Sequence, residues 1–160
     1  MPGSYEESLS IKNQSSSKQA RSIPRDCTVL IIEKEVSRLV SLTHVLEMLG
    51  IYYEWKASGF EVVEYANSLP HLNLILMDIS LPFEDCYLAI KNFREAGQFA
   101  GIPIIAMGFN ASVANMNKAR ASGFDGFIGN PLEIESFQVQ IKKILSGYPV
   151  WGLNKTVEYS

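Results

Sequence analysis

Short apolar runs alternate with segments of helical periodicity along most of the chain. Apolar runs that end at small or polar residues are typical of strands buried on both faces of a parallel sheet. The segment after the first run repeats leucine at helical spacing and stops at Gly50, which favours a helix. The predicted strands are 28–32, 52–56, 73–77, 104–107 and 126–128. The predicted helices are about 36–49, 60–68, 85–96, 112–121 and 133–146.

Five strand–helix units in strict alternation, joined by short connections, predict an α/β domain. The sheet should be parallel, with right-handed crossovers and helices on both faces. Residues 26–147 form this domain. Residues 1–25 are rich in Ser, Lys and Gln, and we expect them to be a disordered leader. Residues 148–160 form a C-terminal tail that is too short for a further domain.

Composition excludes several classes of protein. The chain has 160 residues, and its net charge of -3 gives no basic footprint for nucleic acid. No apolar run approaches the roughly 20 residues that a membrane span needs, and the N-terminus does not resemble a signal peptide. We therefore expect a cytoplasmic protein. Cys27 and Cys86 fall at opposite ends of the predicted sheet, so both should be free thiols.

An acid follows the third apolar run, where Asp78 comes directly after residues 74–77. In open parallel sheets, binding and catalytic sites form at the carboxyl ends of the strands. A carboxylate at this position can act as a nucleophile, bind a metal or cap the end of the strand. The pattern alone does not choose between these roles.

The order of these features resembles the receiver domain of two-component response regulators. The resemblance runs from about Cys27 to Ser146 and includes the polar ends of the first and third strands and the Asn130-Pro131 turn. It implies a flavodoxin-like (βα)5 doubly wound sheet with strand order 2-1-3-4-5. It also implies a stand-alone signalling domain without enzyme activity, whose partner is a histidine kinase or another signalling protein.

The resemblance assigns a role to each residue of the pocket. Asp78 stands at the phosphoacceptor position. Glu33 and Lys34 stand where the family has an acidic pair, Gly108 stands where it has Ser or Thr, and Asn130 replaces the lysine that precedes a proline. Only the aspartate is intact, which predicts a damaged phosphorylation pocket. The family likeness also implies a cis bond before Pro131.

The substitution at Lys34 bears on the metal that the family uses. Receiver domains hold Mg²⁺ with the acceptor aspartate, the acidic pair and a backbone carbonyl, and Mg²⁺ requires oxygen ligands. We expect no metal and no cofactor; Mg²⁺ would bind only if the site is still competent, with Glu33, Asp78 and the Ser80 carbonyl as weak candidate ligands. Lys34 either remains in solvent or forms a salt bridge with Asp78 or Glu33.

Phe127 occupies the position of the aromatic residue that follows the hydroxyl when a receiver domain switches. Because Gly108 has no hydroxyl, nothing at that position can draw the ring inward. We therefore place a constitutive partner surface on helix four, strand five and helix five, with Trp151 either part of it or folded back onto its own domain. The other candidate residues of this surface are Asn115, Lys118, Val139 and Lys142.

The resulting hypothesis is a pseudo-receiver that acts in phosphorelay signalling through protein–protein contacts. One alternative is a conventional receiver that is phosphorylated on Asp78. Another is an aspartate-nucleophile phosphatase, although such enzymes use a second acid two residues later, where this chain has Ser80. A small-ligand-binding module is the last alternative, and the absence of a glycine-rich loop after the first strand counts against it.

Overall fold

The computed structural model describes residue 23 and residues 26–80, 83–110 and 112–153, apart from the side chains of residues 83–85. Expectations for residues 1–22, the turn at 81–82 and residues 154–160 lie outside this part. The strands are β1 (Thr28–Ile32), β2 (Tyr52–Lys56), β3 (Leu72–Asp78), β4 (Ile104–Gly108), β5 (Gly126–Gly129) and β6 (Trp151–Gly152). The helices are α1 (Val36–Met48), α2 (Val62–Ser68), α3 (Phe83–Ala96), α4 (Val113–Ser122) and α5 (Ile134–Leu145).

All six strands form one parallel sheet in the order β2-β1-β3-β4-β5-β6. The predicted order 2-1-3-4-5 is therefore confirmed, and β6 adds a strand that the sequence did not predict. Ile32 pairs with Met77 and Asp78 pairs with Met107. This register brings the carboxyl ends of β1, β3 and β4 to one edge, beside the point where the strand order reverses.

The sheet separates two apolar cores, because successive residues of a strand point to opposite faces. Val29 and Ile31 contribute to the core under α1 and α5. Leu30 and Ile32 contribute to the core under α2, α3 and α4. The two layers bury β1, β4 and residues 74–78 of β3, which explains why these strands read as continuous apolar runs in the sequence.

The helix signals in the sequence hold with one exception. The Ser112 hydroxyl accepts a hydrogen bond from the backbone N–H of Asn115 at 3.1 Å and caps α4, which ends at Gly123 with φ of 107°. Helical spacing with Phe137 and Ile141 predicts that Ile134 also lies inward, but its side chain is 42% exposed and this prediction was wrong. It stands in the first turn of α5, beyond the end of β5, where no strand lies beneath it.

Two further expectations concern the cysteines and the membrane. Cys27 and Cys86 are buried and free, as predicted. In the part of the chain that the structure describes, no helix is both long enough and apolar enough to cross a bilayer.

Candidate functional site

Two buried carboxyl groups meet at the edge of the sheet where β1 and β3 end. Glu33 follows β1 directly and Asp78 closes β3, and each residue is 1% exposed. Because Ile32 pairs with Met77, the next residue on each strand lies at the same level of the edge. Charged groups are seldom buried without a partner, so this pair requires compensation from nearby side chains.

Asp78 receives hydrogen bonds at both carboxylate oxygens. Its Oδ1 accepts from the backbone N–H of Ser80 at 2.8 Å and from the Ser80 hydroxyl at 2.7 Å. Its Oδ2 accepts from Nη1 of Arg38 at 3.2 Å. The turn after β3 and a guanidinium from α1 therefore hold the carboxylate in one orientation.

Arg38 is the cation of this site, and sequence reasoning missed it. Its Nη1 lies 4.0 Å from Oε2 of Glu33 and donates to the Ser80 hydroxyl at 3.1 Å. Its guanidinium carbon stands 4.4 Å from the ring centroid of Phe109, the residue after β4. A planar guanidinium suits both contacts, because it can stack on an aromatic face while its edge donates to carboxylates.

Lys34 does not serve this purpose. Its side chain is exposed, and within the described residues it makes no ion pair with Asp78 or Glu33. Of the two possibilities left open by the sequence, the structure has the solvated one. The compensating cation comes instead from the first turn of α1, where the Arg38 side chain reaches back over the ends of β1 and β3.

Glu33 is held differently from Asp78. Its Oε2 accepts a hydrogen bond from the backbone N–H of Glu35 at 3.0 Å, whereas its buried Oε1 has no partner among the described residues. Burial is the main reason that the pKa of Glu33 rises to about 7, and the neighbouring Asp78 carboxyl raises it further. The backbone N–H of Glu35 and the charge of Arg38 oppose this shift.

The Phe127 ring fills the space where a side chain at position 108 would stand. A Cβ built on Gly108 would lie 2.6 Å from Cζ of Phe127, a distance that real Cβ atoms do not reach. Phe127 is completely buried. The glycine at position 108 and the inward position of the Phe127 ring therefore depend on each other, because a serine or threonine side chain at position 108 would clash with the ring.

The Asn130-Pro131 turn departs from the family likeness in its peptide bond. The bond is trans, so the expected cis bond was wrong. Asn130 instead adopts the left-handed conformation with φ of 48°, which asparagine tolerates better than most residues. Its backbone N–H donates to the Gly108 carbonyl at 2.9 Å, and its own carbonyl accepts from Glu133 at 3.2 Å. The left-handed residue makes the turn without a cis bond.

The donor set does not fit Mg²⁺. Mg²⁺ needs near-octahedral oxygen ligands, and this edge offers the two carboxyl groups of Glu33 and Asp78 with the Arg38 guanidinium against both of them. Over residues 26–80, 83–110 and 112–153, no group of three Asp, Glu, His or Cys side chains could hold a metal. A third carboxylate is what the family would place at the position of the exposed Lys34.

The candidate partner residues are divided by their surroundings. Lys118, Val139 and Lys142 are exposed on α4 and α5. Asn115 is half-buried, and its side-chain amide donates to the carbonyl of Asn110 at 3.2 Å. Trp151 is also half-buried, and the Arg120 guanidinium carbon stands 4.2 Å from its ring centroid. Trp151 therefore lies against its own domain, which leaves the two lysines and Val139 as the open part of this surface.

Comparison with known proteins agrees with the fold. The family model of the response regulator receiver domain matches residues 29–142. The chain belongs to this family, whose members are signalling modules of two-component systems. The match includes both carboxyl groups and the whole of the edge described above.

Curated relatives are similar at low identity. The response regulator DivK of Brucella ovis is 27% identical over 118 residues, which cover 74% of this chain and 95% of DivK. The peroxide stress-activated histidine kinase Mak1 of Schizosaccharomyces pombe is 27% identical over 124 residues. That alignment covers 74% of this chain but only 8% of Mak1.

Solved structures show the same fold. The receiver domain of Ssk1, crystallised with the histidine phosphotransfer protein Ypd1 of Saccharomyces cerevisiae, superposes with a TM-score of 0.65 at 24% identity; the alignment covers 76% of this chain and 89% of that one. The chemotaxis regulator CheY4 of Vibrio cholerae gives 0.66 at 21% identity and covers 74% and 98%. Receiver domains interact with kinases or phosphotransfer proteins, and the Ssk1 complex is an instance.

Replacing Glu33 with glutamine should flatten the pH dependence of stability. The folded state binds a proton on Glu33 between the ordinary pKa of 4.5 and about 7, so the free energy of unfolding falls as pH rises through this range. Between pH 5 and pH 8 the free energy of unfolding of the wild-type chain should fall by about 1–3 kcal/mol more than that of Glu33→Gln. Urea unfolding at pH 5 and pH 8 measures the difference. The control is Glu35→Gln, an exposed glutamate, and equal slopes for all three proteins would contradict the assignment.

Replacing Gly108 with alanine should destabilise the fold by about 1–3 kcal/mol, since the new Cβ overpacks the Phe127 ring. Gly101→Ala is the control, because nothing lies within 4 Å of a Cβ there. Adding Phe127→Leu to Gly108→Ala should recover part of the loss. Chemical denaturation of the double-mutant cycle measures this coupling, and strictly additive effects would show that the ring and position 108 do not interact.

Proposed function

We propose that the chain is a pseudo-receiver, a signalling domain that binds a protein partner without a phosphorylation switch and without enzyme activity. The observation that carries the proposal is the Arg38 guanidinium on the Asp78 carboxylate. It gives the phosphoacceptor position a permanent cation from the chain itself. The pocket is then already compensated in the absence of any metal or phosphoryl group.

The electrostatics support a lasting contact. At 3.2 Å and an effective dielectric constant of about 20, the attraction between Arg38 and Asp78 is about 5 kcal/mol before the cost of desolvation. Asp78 is buried while Arg38 is partly exposed, so Arg38 keeps some of its hydration. A divalent cation would have to displace this guanidinium to reach the carboxylate, and among the side chains that the structure describes it would meet only one other acid there.

The two side chains that bind the phosphoryl group in the family are also replaced in this chain. Gly108 offers no hydroxyl, and Asn130 offers a neutral amide in place of an ammonium, whose hydrogen bonds would be roughly twice as strong. A ligand shifts a conformational equilibrium only through contacts that differ between the two states. The Phe127 ring already fills the space over Gly108, so the aromatic element that would respond has no empty position to move into.

The partner surface that we propose lies on α4, β5 and α5. Lys142 and Lys118, whose Nζ stands 5.1 Å from the ring centroid of Tyr87, give it positive charge, and Val139, which is 52% exposed, adds an apolar residue. Single exposed apolar residues are common, so the combination with two lysines is the argument for this face. Such a surface suits an acidic partner with an apolar contact, and charge complementarity would guide the encounter. A histidine kinase or a phosphotransfer protein is the class of partner that the family suggests.

A conventional receiver is the second candidate. The observation in its favour is that Asp78 stands at the end of β3 beside Glu33, the arrangement that accepts a phosphoryl group in the family. Arg38 would then have to turn away before Asp78 could react. The phosphatase and small-ligand alternatives gain no support, since Ser80 contacts Asp78 where such a phosphatase would have a second acid.

Removing the guanidinium should expose the pocket to metal. In Arg38→Ala the affinity for Mg²⁺ should rise about tenfold above that of the wild-type chain, because the competing cation is gone. Lys34→Ala is the matched control, and its affinity should stay near the wild-type value because Lys34 is exposed and unpaired in the described part of the chain. Isothermal titration calorimetry measures all three.

The competing candidate is tested in the same samples. Incubation with acetyl phosphate and Mg²⁺, followed by intact-protein mass spectrometry, should show no stable adduct on the wild-type chain. Substantial acyl phosphate on Asp78 of the wild-type chain would overturn the pseudo-receiver and favour the conventional receiver.

Partner binding should be independent of Asp78. As baits in an affinity capture, the wild-type chain and Asp78→Asn should retain the same partner, whereas Lys118→Glu combined with Lys142→Glu should retain at least fivefold less, because two favourable charges are reversed. Lys34→Glu reverses an exposed lysine outside the proposed surface and should behave like the wild-type chain. Loss of the partner with Asp78→Asn but not with the lysine reversals would contradict the proposed surface.

A further inference from the structure

Strand β2 forms one end of the sheet and is open on its outer side. Among the described residues it pairs only with β1, so no strand of that part of the chain uses its outer backbone groups. Its side chains include Tyr52 and Trp55, which are 61% and 48% exposed. Another chain can pair with an exposed edge strand of this kind, and folded proteins usually cover such an edge or place charges on it.

Exposed valines of α1 lie beside this edge. Tyr53 packs against the core under α1 and α5, and its hydroxyl donates to Oε2 of Glu47 at 3.5 Å. Trp55 lies on the same face of the sheet as Tyr53, because side chains alternate along a strand. Val36, Val40 and Glu47 share one stripe of the helix. The side of α1 that faces β2 is thus apolar over its first half, where the two valines are 67% and 59% exposed.

The charged side chains around β2 are mostly acidic. Glu54 accepts hydrogen bonds from the hydroxyls of Tyr52 and Tyr65. The lysine of β2, Lys56, stands with its Nζ 4.2 Å from the ring centroid of Tyr65. Four acids on β2, α1 and α2 have no ion-pair partner in the described part of the chain: Glu47, Glu54, Glu61 and Glu64. We call the outer side of β2, with the two valines of α1 and these four acids, the β2 face.

The N-terminal part of the chain joins the domain next to the β2 face. Ile23 packs against the core under α1 and α5, and it lines a cavity together with Leu49 and Tyr52 at the start of β2. Trp55 lies further along the strand, roughly 10 Å from Tyr52. Residues 12–22 can span up to roughly 36 Å when extended. The residues that precede them can therefore reach every part of the β2 face.

Residues 8–22 are complementary to the β2 face in charge and in apolar character. Their charged residues are all basic: Lys12, Lys18 and Arg21. Leu9 and Ile11 alternate with serines, so an extended chain presents both apolar side chains on one side. Two copies of the β2 face would bring acids against acids, which costs free energy. The charges therefore favour the basic segment over a second copy of this face.

We infer that residues 8–22 fold back over the β2 face and cover the open edge of β2. Leu9 and Ile11 then contact Val40 and Trp55, and the three basic residues lie beside the unpaired acids. The composition of the segment alone predicts disorder, so these contacts are what would order it. The covered edge is closed to strand addition by other chains. Strand β2 lies at the opposite end of the sheet from β5 and β6, so this contact is separate from the partner surface on α4, β5 and α5.

A spin label tests the docking in the full chain. A nitroxide attached to Ser10→Cys should reduce the amide NMR signals of residues 36–40 and 52–56 by about half or more, because a tethered segment acts at high effective concentration. The signals of α4 should keep their intensity, since four strand spacings of about 4.8 Å separate β2 from β5. The wild-type chain, in which Cys27 and Cys86 are buried, gives the baseline after the same treatment. The inference is overturned if the signals of the β2 face are not preferentially reduced.

Matched variants of the labelled chain test the chemistry of the contact. Lys12→Glu, Lys18→Glu and Arg21→Glu in one chain should restore the signals of β2, whereas Lys12→Arg, Lys18→Arg and Arg21→Lys should not, because the three positive charges remain. Val40→Lys should also restore them, since it removes an apolar contact and repels the segment. Leu88→Lys changes an exposed apolar residue of α3 and should leave the signals reduced. Signals that stay reduced in both the charge-reversed chain and Val40→Lys would contradict the proposed contact.

A mixed sample separates docking within one chain from docking between chains. The spin-labelled chain without isotope is added to the unlabelled chain enriched in ¹⁵N. Unchanged signals of β2 in this mixture, together with reduced signals in the singly labelled sample, support docking within one chain. Reduced signals in the mixture would assign the β2 face to the segment of a second copy and overturn the inference. No partner protein is needed, so the result is independent of the lysine reversals in affinity capture.

Discussion

One guanidinium compensates two buried carboxyl groups at the edge of this sheet, and the character of the whole site depends on that interaction. Glu33 and Asp78 are almost fully buried, and two adjacent carboxylates cannot both stay charged there without a cation. Arg38 lies closer to Asp78 than to Glu33. Burial, opposed in part by the charge of Arg38, raises the pKa of Glu33 to about 7. The charge of the pocket is thus balanced by one arginine and by a glutamate that takes up a proton more readily than usual.

Arg38 also links the two carboxyl groups to the end of β4. Arg38 stacks on Phe109, which directly follows Gly108, and Gly108 is where the Phe127 ring packs. The polar site and the inward aromatic ring are thus connected through two consecutive residues. A change that moves Arg38 acts on Phe109, and a change that adds a side chain at position 108 acts on Phe127.

The fold could be predicted from the sequence because burial on both faces leaves a simple mark. Apolar strands such as β1 and β3 can be recognised without knowing their neighbours, and the acid at the end of each one, Glu33 and Asp78, identifies the edge of the site. Position along the chain also located Asp78 and Gly108, since each directly follows or ends a strand. The order of the strands then followed from the family likeness.

The missed features depend on contacts between residues that are distant in sequence. Arg38 stands on a helix, and its role comes from reaching Asp78, which lies forty residues further along the chain. Lys34 was the nearer candidate in sequence, but it follows β1 on the solvent side. Strand β6 has two residues, too few to show a period, and its signal was in the glycines of β5. Ile134 has the right helical spacing but no strand beneath it.

Three glycines in β4 and β5 leave space for a neighbouring group that a Cβ atom would fill, and none of them has a left-handed backbone. Gly108 yields space to the Phe127 ring, while Gly126 and Gly129 yield space to the carbonyls of Val150 and Leu153. The Phe127 ring packs over Gly108 of β4, and its backbone N–H donates to the Val150 carbonyl. The family likeness assigns this residue to the element that moves. A surface held in this way loses little conformational entropy on binding, and these contacts therefore support the constitutive interface proposed for the chain.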